Sequence, residues 1–265
     1  MPLALSLRET AVGGRVSLRE ATTLLAIIGG TGFGEFAGVQ DIEPQQVETE
    51  FGSVYLESGA LNGTPLLFLP RHGNPPRLPP HIINYRANID ALIATGADKI
   101  IAVTAVGTVD ESLCVPELVI PDQLIDYTYG RVQTYYDDEL HHIDLTFPYD
   151  QTLRQQLVES AIKCQKSNPK LLFRNKGVYG CLQGPRLETA AEIRRLRIDG
   201  CDIVGMTAMP ECTLARERHL PYAGISVTIN AGAGINQKVV DIDHTAMDEG
   251  MTWIRDILST FVSLE

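Results

Sequence analysis

The sequence predicts one α/β domain in which a mixed central β-sheet is flanked by helices. Apolar runs of strand length alternate with amphipathic helical patterns, and no internal repeat or linker rich in Pro, Gly and Ser divides the chain. A chain of 265 residues is long for one domain, but α/β domains of this size commonly enclose a single core. We expect residues 24–265 to form the domain and residues 1–23 to be a loosely attached extension.

The predicted strands are short apolar runs that end in glycine or in polar residues: 24–28, 66–69, 100–103, 118–120, 177–182, 203–206 and 222–229. The predicted helices have apolar residues at helical spacing: 83–95, 152–165, 188–198, 210–218 and 243–261. Asp243 stands where a residue would cap the last helix. Residues 131–150 show neither period and form the least regular segment.

Composition narrows the class of partner. The net charge of −11 argues against a surface for nucleic acid or membrane. The five cysteines are widely spaced without a C-x-x-C pair, which argues against a disulfide framework or a zinc site. The first twenty residues are interrupted by charges and resemble neither a signal peptide nor a membrane span. We expect a cytoplasmic protein that binds a small molecule.

Several predicted strands end in groups that bind anions. The first is followed by Gly-Gly-Thr-Gly at 29–32, whose N–H groups and Thr31 hydroxyl suit an oxyanion, although a plain tight turn is the alternative. Arg71 and His72 follow the second strand, and Thr104 and Thr207 follow two others. An arginine at such a position suits bidentate phosphate binding.

Two further polar residues suit the edge of a purine base. Glu188 follows the turn at 184–187, and Asn230 ends the apolar run 222–229. If the two converge, the Glu188 carboxylate accepts from a ring N–H while the Asn230 amide both donates and accepts. This pairing fits a 6-oxopurine.

Other readings of individual motifs have less support. The glycines at 29, 30, 32 and 34 do not fit the dinucleotide fingerprint, and the P-loop lysine is missing. His141, His142 and Asp144 could suggest a metal site, but the sequence shows no second cluster of ligands at metal spacing. We therefore expect no metal site. No G-x-S-x-G elbow is present, which argues against a serine hydrolase.

Together the motifs resemble the trimeric purine nucleoside phosphorylase and methylthioadenosine phosphorylase family, from about residue 26 to residue 264. The shared motifs are the 29–32 loop, Arg-His-Gly at 71–73, Asn-Tyr-Arg-Ala-Asn at 84–88, Gly-Pro-Arg at 184–186 and Met-Thr-Ala-Met-Pro-Glu at 206–211. The resemblance implies a nucleoside phosphorylase fold, a homotrimer with active sites near subunit interfaces, and inorganic phosphate as co-substrate without a metal or organic cofactor.

The resemblance also assigns roles. It implies a phosphate site formed by six residues: Thr31, Arg71, His72, Thr104, Ala105 and Thr207. Met206 would lie under the ribose, and Leu187 would replace an aromatic ring that stacks on the base in many relatives. His142 would reach the 5′ end of a ligand in a neighbouring subunit. We expect His72, Glu188 and Asn230 to be the catalytic residues, with no protein nucleophile.

Substrate specificity is predicted from positions at which this chain differs from some members of the family and resembles others. Methylthioadenosine phosphorylases carry an aspartate where this chain has Asn230, so we expect a 6-oxopurine to be preferred over adenine. Residues 127–136, 142–144 and 147–150 resemble the bacterial S-methyl-5′-thioinosine phosphorylases, which makes methylthioinosine the expected substrate. Against this, His244 falls where purine nucleoside phosphorylases present a histidine to a 5′-hydroxyl, unless it is only an exposed residue behind the Asp243 cap.

Alternative functions remain open at this point. Within the family, the alternatives are phosphorolysis of inosine or guanosine and phosphorolysis of methylthioadenosine. An NAD-binding oxidoreductase would use the loop at 29–34, whose fingerprint is broken. A noncatalytic nucleoside-binding protein would need no phosphate site, and the presence of Arg71 with the threonine hydroxyls argues for catalysis.

Overall fold

The computed structural model describes residues 23–33, 38–235 and 239–264. The extension predicted at the start of the chain therefore lies almost wholly outside the described residues, as does the end of the glycine loop from Gly34. The described strands are β1 (Leu25–Gly29), β2 (Val39–Thr49), β3 (Gly52–Leu61), β4 (Thr64–Pro70), β5 (Lys99–Thr108), β6 (Leu118–Val119), β7 (Gln123–Asp126), β8 (Phe173–Arg174), β9 (Val178–Cys181), β10 (Ile203–Gly205) and β11 (Tyr222–Ala231). The described α-helices are α1 (Tyr85–Ala94), α2 (Gln151–Ser167), α3 (Ala190–Ile198), α4 (Ala208–Glu217) and α5 (His244–Val262).

Each predicted strand and helix is present, and the structure adds four strands that the sequence did not reveal. The largest addition is the hairpin of β2 and β3, whose strands pair antiparallel. Most of β2 is exposed, so its residues do not alternate between apolar and polar. The other additions, β7 and β8, are short and only partly buried.

The strands form one mixed sheet in the order β2-β3-β4-β1-β5-β10-β9-β7. Strand β11 pairs with β5 and with β6, and β6 also pairs with β8. Strand β5 pairs along nearly its whole length with β11 on one edge. On its other edge, β1 pairs with residues 99–102 and β10 pairs with residues 107 and 108. Residues 103–106 are therefore paired with neither β1 nor β10, and this gap is where the candidate site lies.

Helices cover both faces of the sheet. Alternate residues of β1 point to opposite faces of the sheet. Leu25 and Ile27 therefore join the core that contains α2 and α5, whereas Ala26 and Ile28 join the core that contains α1 and α4. Burial of these two apolar layers is the main favourable term that holds the domain together. Within the described residues, no helix is both long and apolar enough to cross a lipid bilayer.

The helix starts follow from local sequence. Four α-helices begin after a polar side chain that accepts a hydrogen bond from a first-turn N–H group: Asn84 before α1, Asp150 before α2, Thr189 before α3 and Asp243 before α5. The capping role predicted for Asp243 is confirmed, since its side chain accepts from the Ala246 N–H at 2.9 Å.

Candidate active site

A cavity of about 270 Å³ opens at the gap on the edge of β5. Strands β1, β4, β5 and β11 run parallel and end towards it, which is where open α/β sheets generally bind ligands. All but one of the residues predicted to form the site line this cavity: Thr31, Arg71, His72, Thr104, Ala105, Leu187, Glu188, Met206, Thr207 and Asn230.

Arg71 follows β4, and its side chain is wholly buried. Its Nε and Nη2 atoms donate to the two carboxylate oxygens of Glu211 at 2.7 and 2.9 Å, and Nη1 donates to the Val103 carbonyl at 3.0 Å. Burial alone would lower the pKa of Arg71, but the charge of Glu211 and its hydrogen bonds outweigh burial and raise it. Arg71 is therefore a fixed cation whose side edge is already occupied, so a bidentate contact with phosphate has only the Nη1 and Nη2 ends available.

His72 is a neutral hydrogen-bonding group at the same wall. Its Nδ1 atom lies 2.7 Å from the Leu78 carbonyl, and because a carbonyl only accepts, Nδ1 carries the proton. Burial lowers the pKa of His72, the hydrogen bond to Leu78 opposes this shift, and the Arg71 guanidinium adds to it. The neutral ring leaves Nε2 as an acceptor, which suits the hydroxyl of a hydrogen phosphate ion.

Threonine hydroxyls complete the predicted anion site. Thr104 is buried, with its Oγ1 atom 2.7 Å from the Ser226 hydroxyl oxygen. Thr207 is buried at the N-cap position of α4, but its side chain makes no capping hydrogen bond. Thr31 is exposed in the turn after β1. These groups offer neutral donors around the Arg71 cation, which is the composition of an oxyanion site.

Asn230 is aimed by an irregularity in the sheet. The pairing of β11 with β5 shifts register immediately before Asn230, which pairs with Gly107, and such bulges redirect side chains. The Asn230 Nδ2 atom donates to the Ala231 carbonyl at 3.0 Å, so one amide N–H and the Oδ1 atom remain for a ligand. A Cβ atom at Gly107 would lie 3.0 Å from Nδ2, and the glycine therefore makes room for the amide.

Glu188 is held by the turn that begins α3. Thr189 and Glu192 form a capping box, and Arg186 donates to both carboxylate oxygens of Glu192 at 2.9 and 2.7 Å. The Arg186 hydrogen bonds lower the pKa of Glu192 to about 2. Arg186 is thus paired within the turn, whereas burial raises the pKa of Glu188. A carboxylate with its charge partly desolvated is suited to accept a hydrogen bond from a ligand.

Met206 and Leu187 add apolar surface to the cavity. A Cβ atom at Gly184 would lie 2.6 Å from the Met206 sulfur, and the φ angle of Gly184 is +63°, so both space and backbone conformation require glycine there. Leu187 is 43% exposed. An apolar, flexible floor suits a ribose face and the plane of a base better than it suits a charged ligand.

His142 is the predicted site residue that does not line the cavity. It is exposed in the irregular segment, beside His141, whose ring stacks on Tyr136 with centroids 4.0 Å apart. Its predicted contact is with the ligand of a neighbouring subunit and stays a prediction. His244 is exposed at the first position of α5 and also lies off the cavity wall. Across residues 23–33, 38–235 and 239–264, no three His, Cys, Asp or Glu side chains gather in a metal-binding arrangement.

Sequence reasoning gave no role to two charged residues that organise the site. Glu211 pairs with Arg71 across 140 positions of sequence. Arg131, in the irregular segment, donates to the carbonyls of Met206 at 2.8 Å and Gln183 at 2.7 Å, and so ties the strand end that carries Met206 to the turn before Glu188. Glu211 could have been singled out from the sequence, because it is a charged residue in a motif whose other residues suggest burial.

The match to a family model decides the broader identity. Residues 24–263 match the model described as Phosphorylase superfamily. The chain belongs to the phosphorylase superfamily.

Individual relatives refine this assignment. The chain is 43% identical to a protein of Pseudomonas syringae pv. tomato named probable S-methyl-5′-thioinosine phosphorylase, over 91% of this chain and 99% of that protein. It is 41% identical to the 6-oxopurine nucleoside phosphorylase of Pyrococcus furiosus, over 81% of this chain and 82% of that protein. A methylthioadenosine phosphorylase from an antarctic soil metagenomic library has a similar solved structure, with a TM-score of 0.84 and 32% identity over 92% of this chain and 86% of that chain.

These similarities confirm the predicted nucleoside phosphorylase fold and the predicted enzyme class, a pentosyltransferase. A phosphorylase transfers a glycosyl group to phosphate, so phosphate is a substrate of the reaction. The dehydrogenase and the noncatalytic binding protein considered from the sequence do not fit this family.

Proposed function

We propose that this enzyme cleaves the N-glycosidic bond of S-methyl-5′-thioinosine with inorganic phosphate, giving hypoxanthine and 5-methylthioribose 1-phosphate for purine salvage. The observation that carries the proposal is the Asn230 amide, which is oriented by the Ala231 carbonyl and lines the same cavity as Glu188. The similarity to the Pseudomonas syringae protein supports the same substrate.

The preference for hypoxanthine follows from the hydrogen-bond donors and acceptors of the base and the site. Hypoxanthine offers an N1–H donor and acceptors at O6 and N7. Glu188 accepts from N1–H, and the remaining N–H of Asn230 donates to O6 or N7. A 6-aminopurine has a donor at position 6 in place of the O6 acceptor and lacks the proton at N1, so groups built for the oxo form are left unpaired against it.

The phosphate end supplies the nucleophile. Phosphate is held by Arg71, by the neutral His72 and by the threonine hydroxyls, and one of its oxygen atoms bonds to C1′ as the C1′–N9 bond breaks. The bonding electrons leave with the base, and the proton of hydrogen phosphate ends on the base, so charge and atoms balance. Positioning of phosphate below the sugar and donation to the departing base lower the barrier, because both interactions strengthen as charge separates.

The same proposal covers the apolar contacts of the nucleoside, its 5′ pocket, the cofactor requirement and the compartment. Met206 packs under the ribose, and Leu187 replaces the stacking ring. The methylthio group meets an apolar 5′ pocket to which His142 of a neighbouring subunit contributes in a homotrimer. The reaction uses phosphate as co-substrate, without an organic cofactor or a metal, and takes place in the cytoplasm.

A second candidate is phosphorolysis of inosine or guanosine. It is favoured by the similarity to the Pyrococcus furiosus 6-oxopurine nucleoside phosphorylase, and it shares the Asn230 and Glu188 chemistry. Inosine differs from methylthioinosine only at the 5′ position, where a hydroxyl replaces the methylthio group, and guanosine also carries a 2-amino group on the base.

The test is a wild-type turnover assay with methylthioinosine, with and without phosphate. Release of hypoxanthine and formation of a sugar 1-phosphate, both dependent on phosphate, are expected. Hypoxanthine release at the same rate without phosphate would make the protein a hydrolase, and absence of release under both conditions would remove the proposed substrate.

A further inference from the structure

We propose that Glu211, supported by Tyr222, is a positioning residue for phosphate, which fixes the Arg71 guanidinium and cancels its net charge. The site would then bind phosphate through oriented donors rather than through excess positive charge. This inference rests on the proposed function, since it takes phosphate to be the co-substrate held by Arg71.

The contacts form a buried network centred on the carboxylate of Glu211. Glu211 receives two hydrogen bonds from Arg71, at 2.7 Å from Nε and 2.9 Å from Nη2. The Tyr222 hydroxyl donates to Oε1 of Glu211 at 2.8 Å. Arg71, Glu211 and Tyr222 are 1%, 0% and 3% exposed, so water does not compete for these bonds, and each is charge-assisted. The carboxylate therefore holds the plane of the guanidinium in one orientation.

The donors of Arg71 can be accounted for one by one. A guanidinium has five N–H groups. Two are bound by Glu211 and one by the Val103 carbonyl, which leaves one on Nη1 and one on Nη2. The backbone of Gly30 borders Nη1 closely, because a Cβ atom there would lie 2.9 Å from it. The ligand thus meets an arginine with two remaining donors and little freedom to turn.

The charge of the pair matters as much as its geometry. Arg71 and Glu211 sum to zero, and His72 is neutral while its proton lies on Nδ1 toward Leu78. The threonine hydroxyls add dipoles but no charge. An unopposed Arg71 would attract phosphate more strongly and would be free to follow it, whereas the paired Arg71 presents donors in a fixed direction. Fixed donors favour the transition state over tight ground-state binding.

Because Glu211 affects both the charge and the orientation of Arg71, its substitution should have opposite effects on phosphate affinity and turnover. Glu211→Gln removes the negative charge and places an amide N–H against an N–H of Arg71, so the guanidinium turns. We expect phosphate to bind several-fold more tightly, while kcat falls by about a hundredfold, the size associated with a misplacement of roughly 1 Å. Tyr222→Phe leaves the charge intact and removes one hydrogen bond, so kcat should fall by about tenfold with phosphate affinity unchanged.

Glu217→Gln is the matched control. Glu217 is also a buried glutamate of α4, 5% exposed, but it accepts from Thr134 and the Tyr135 N–H and does not line the cavity. Both phosphate affinity and kcat should stay within about twofold of wild type. A general loss of stability in α4 would affect this variant as well.

The experiment combines titration calorimetry with inorganic phosphate and steady-state turnover with methylthioinosine, after circular dichroism has shown that each variant is folded. Tighter phosphate binding with reduced kcat in Glu211→Gln supports the proposal. Weaker phosphate binding, or unchanged kcat, overturns it. If Glu211→Gln does not fold, Tyr222→Phe decides, because wild-type kcat in that variant contradicts the positioning role. A wild-type enzyme that binds phosphate but does not cleave methylthioinosine would contradict the proposed substrate instead, and the calorimetric comparison would still decide the role of Glu211.

Discussion

Replacement of Asn230 by aspartate should shift base preference from 6-oxopurines toward 6-aminopurines. The substitution is nearly isosteric and changes only hydrogen-bond polarity. The Nδ2 donor of Asn230 disappears, both toward the ligand and toward the Ala231 carbonyl, which it now meets at 3.0 Å. The second loss affects all substrates alike, because it is made within the protein.

The size of the shift follows from the ligand-facing bonds. Loss of the donor leaves an acceptor of hypoxanthine unpaired in a partly buried site, at a cost of about 1–3 kcal/mol. Aspartate in turn accepts from the 6-amino group of methylthioadenosine, and a hydrogen bond to a charged group contributes roughly 1.5–3 kcal/mol. The two effects together amount to about 2.5–6 kcal/mol. Since about 1.4 kcal/mol corresponds to a factor of ten, the ratio of kcat/KM for the two nucleosides should change by at least about sixtyfold.

The assay measures initial rates with methylthioinosine and methylthioadenosine at saturating phosphate, and it compares the ratio of kcat/KM between variant and wild type. Asn84→Asp is a matched control, because the Asn84 Nδ2 atom also donates to a backbone carbonyl, that of Phe51 at 2.7 Å, but the residue caps α1 away from the cavity. An unchanged ratio in Asn230→Asp, or an equal change in Asn84→Asp, would refute the assignment of Asn230 to the base.

Three further predictions concern the same cavity. Burial raises the pKa of Glu188, and only its carboxylate accepts from N1–H, so kcat/KM for methylthioinosine relative to methylthioadenosine should fall as pH drops through that raised pKa; a ratio independent of pH would contradict this. Gly107→Ala should lower kcat/KM for methylthioinosine by about tenfold, because its Cβ would lie 3.0 Å from Nδ2 of Asn230. A wild-type kcat/KM in steady-state assays would contradict the role of Gly107 in making room for the Asn230 amide. His72→Leu removes the Nε2 acceptor while Nδ1 serves only Leu78, so KM for phosphate should rise by about tenfold with KM for the nucleoside unchanged, and an equal rise in both would argue against it.

Strand ends were the part of the site that sequence could predict. Arg71, Thr104 and Asn230 each stand after an apolar run, and parallel strands bring such ends to one edge of a sheet. The structure places all three on one cavity. The apolar runs are visible because burial on both faces leaves no polar position within them.

Contacts between distant segments were beyond sequence reasoning. The pairing of Glu211 with Arg71 spans 140 positions, and no periodicity reveals which carboxylate meets which guanidinium. The sequence indicated only that Arg71 suits bidentate phosphate binding, whereas in the structure Glu211 occupies its Nε and one Nη2 donor. The hairpin of β2 and β3 was missed for a different reason, because an exposed strand can be polar on both faces.

The contacts of the irregular segment, residues 131–150, were also beyond sequence reasoning. Arg131 donates six hydrogen bonds, four of them to Met206, Met209 and Gln183 and two to Tyr85 and Leu182. All six depend on the folded positions of these partners. The sequence offers only an arginine among tyrosines. The predicted role of His142 needs a neighbouring subunit, and one chain alone does not bring that residue to the cavity.

The most direct test of the account is competition among methylthioinosine, inosine and methylthioadenosine, supplied together at equal concentration with excess phosphate. The relative rates of disappearance give the ratios of kcat/KM in a single reaction. We expect methylthioinosine to be consumed first, and none of the three to be consumed without phosphate. Faster consumption of methylthioadenosine would contradict the roles given to Asn230 and Glu188, and faster consumption of inosine would contradict the methylthio pocket.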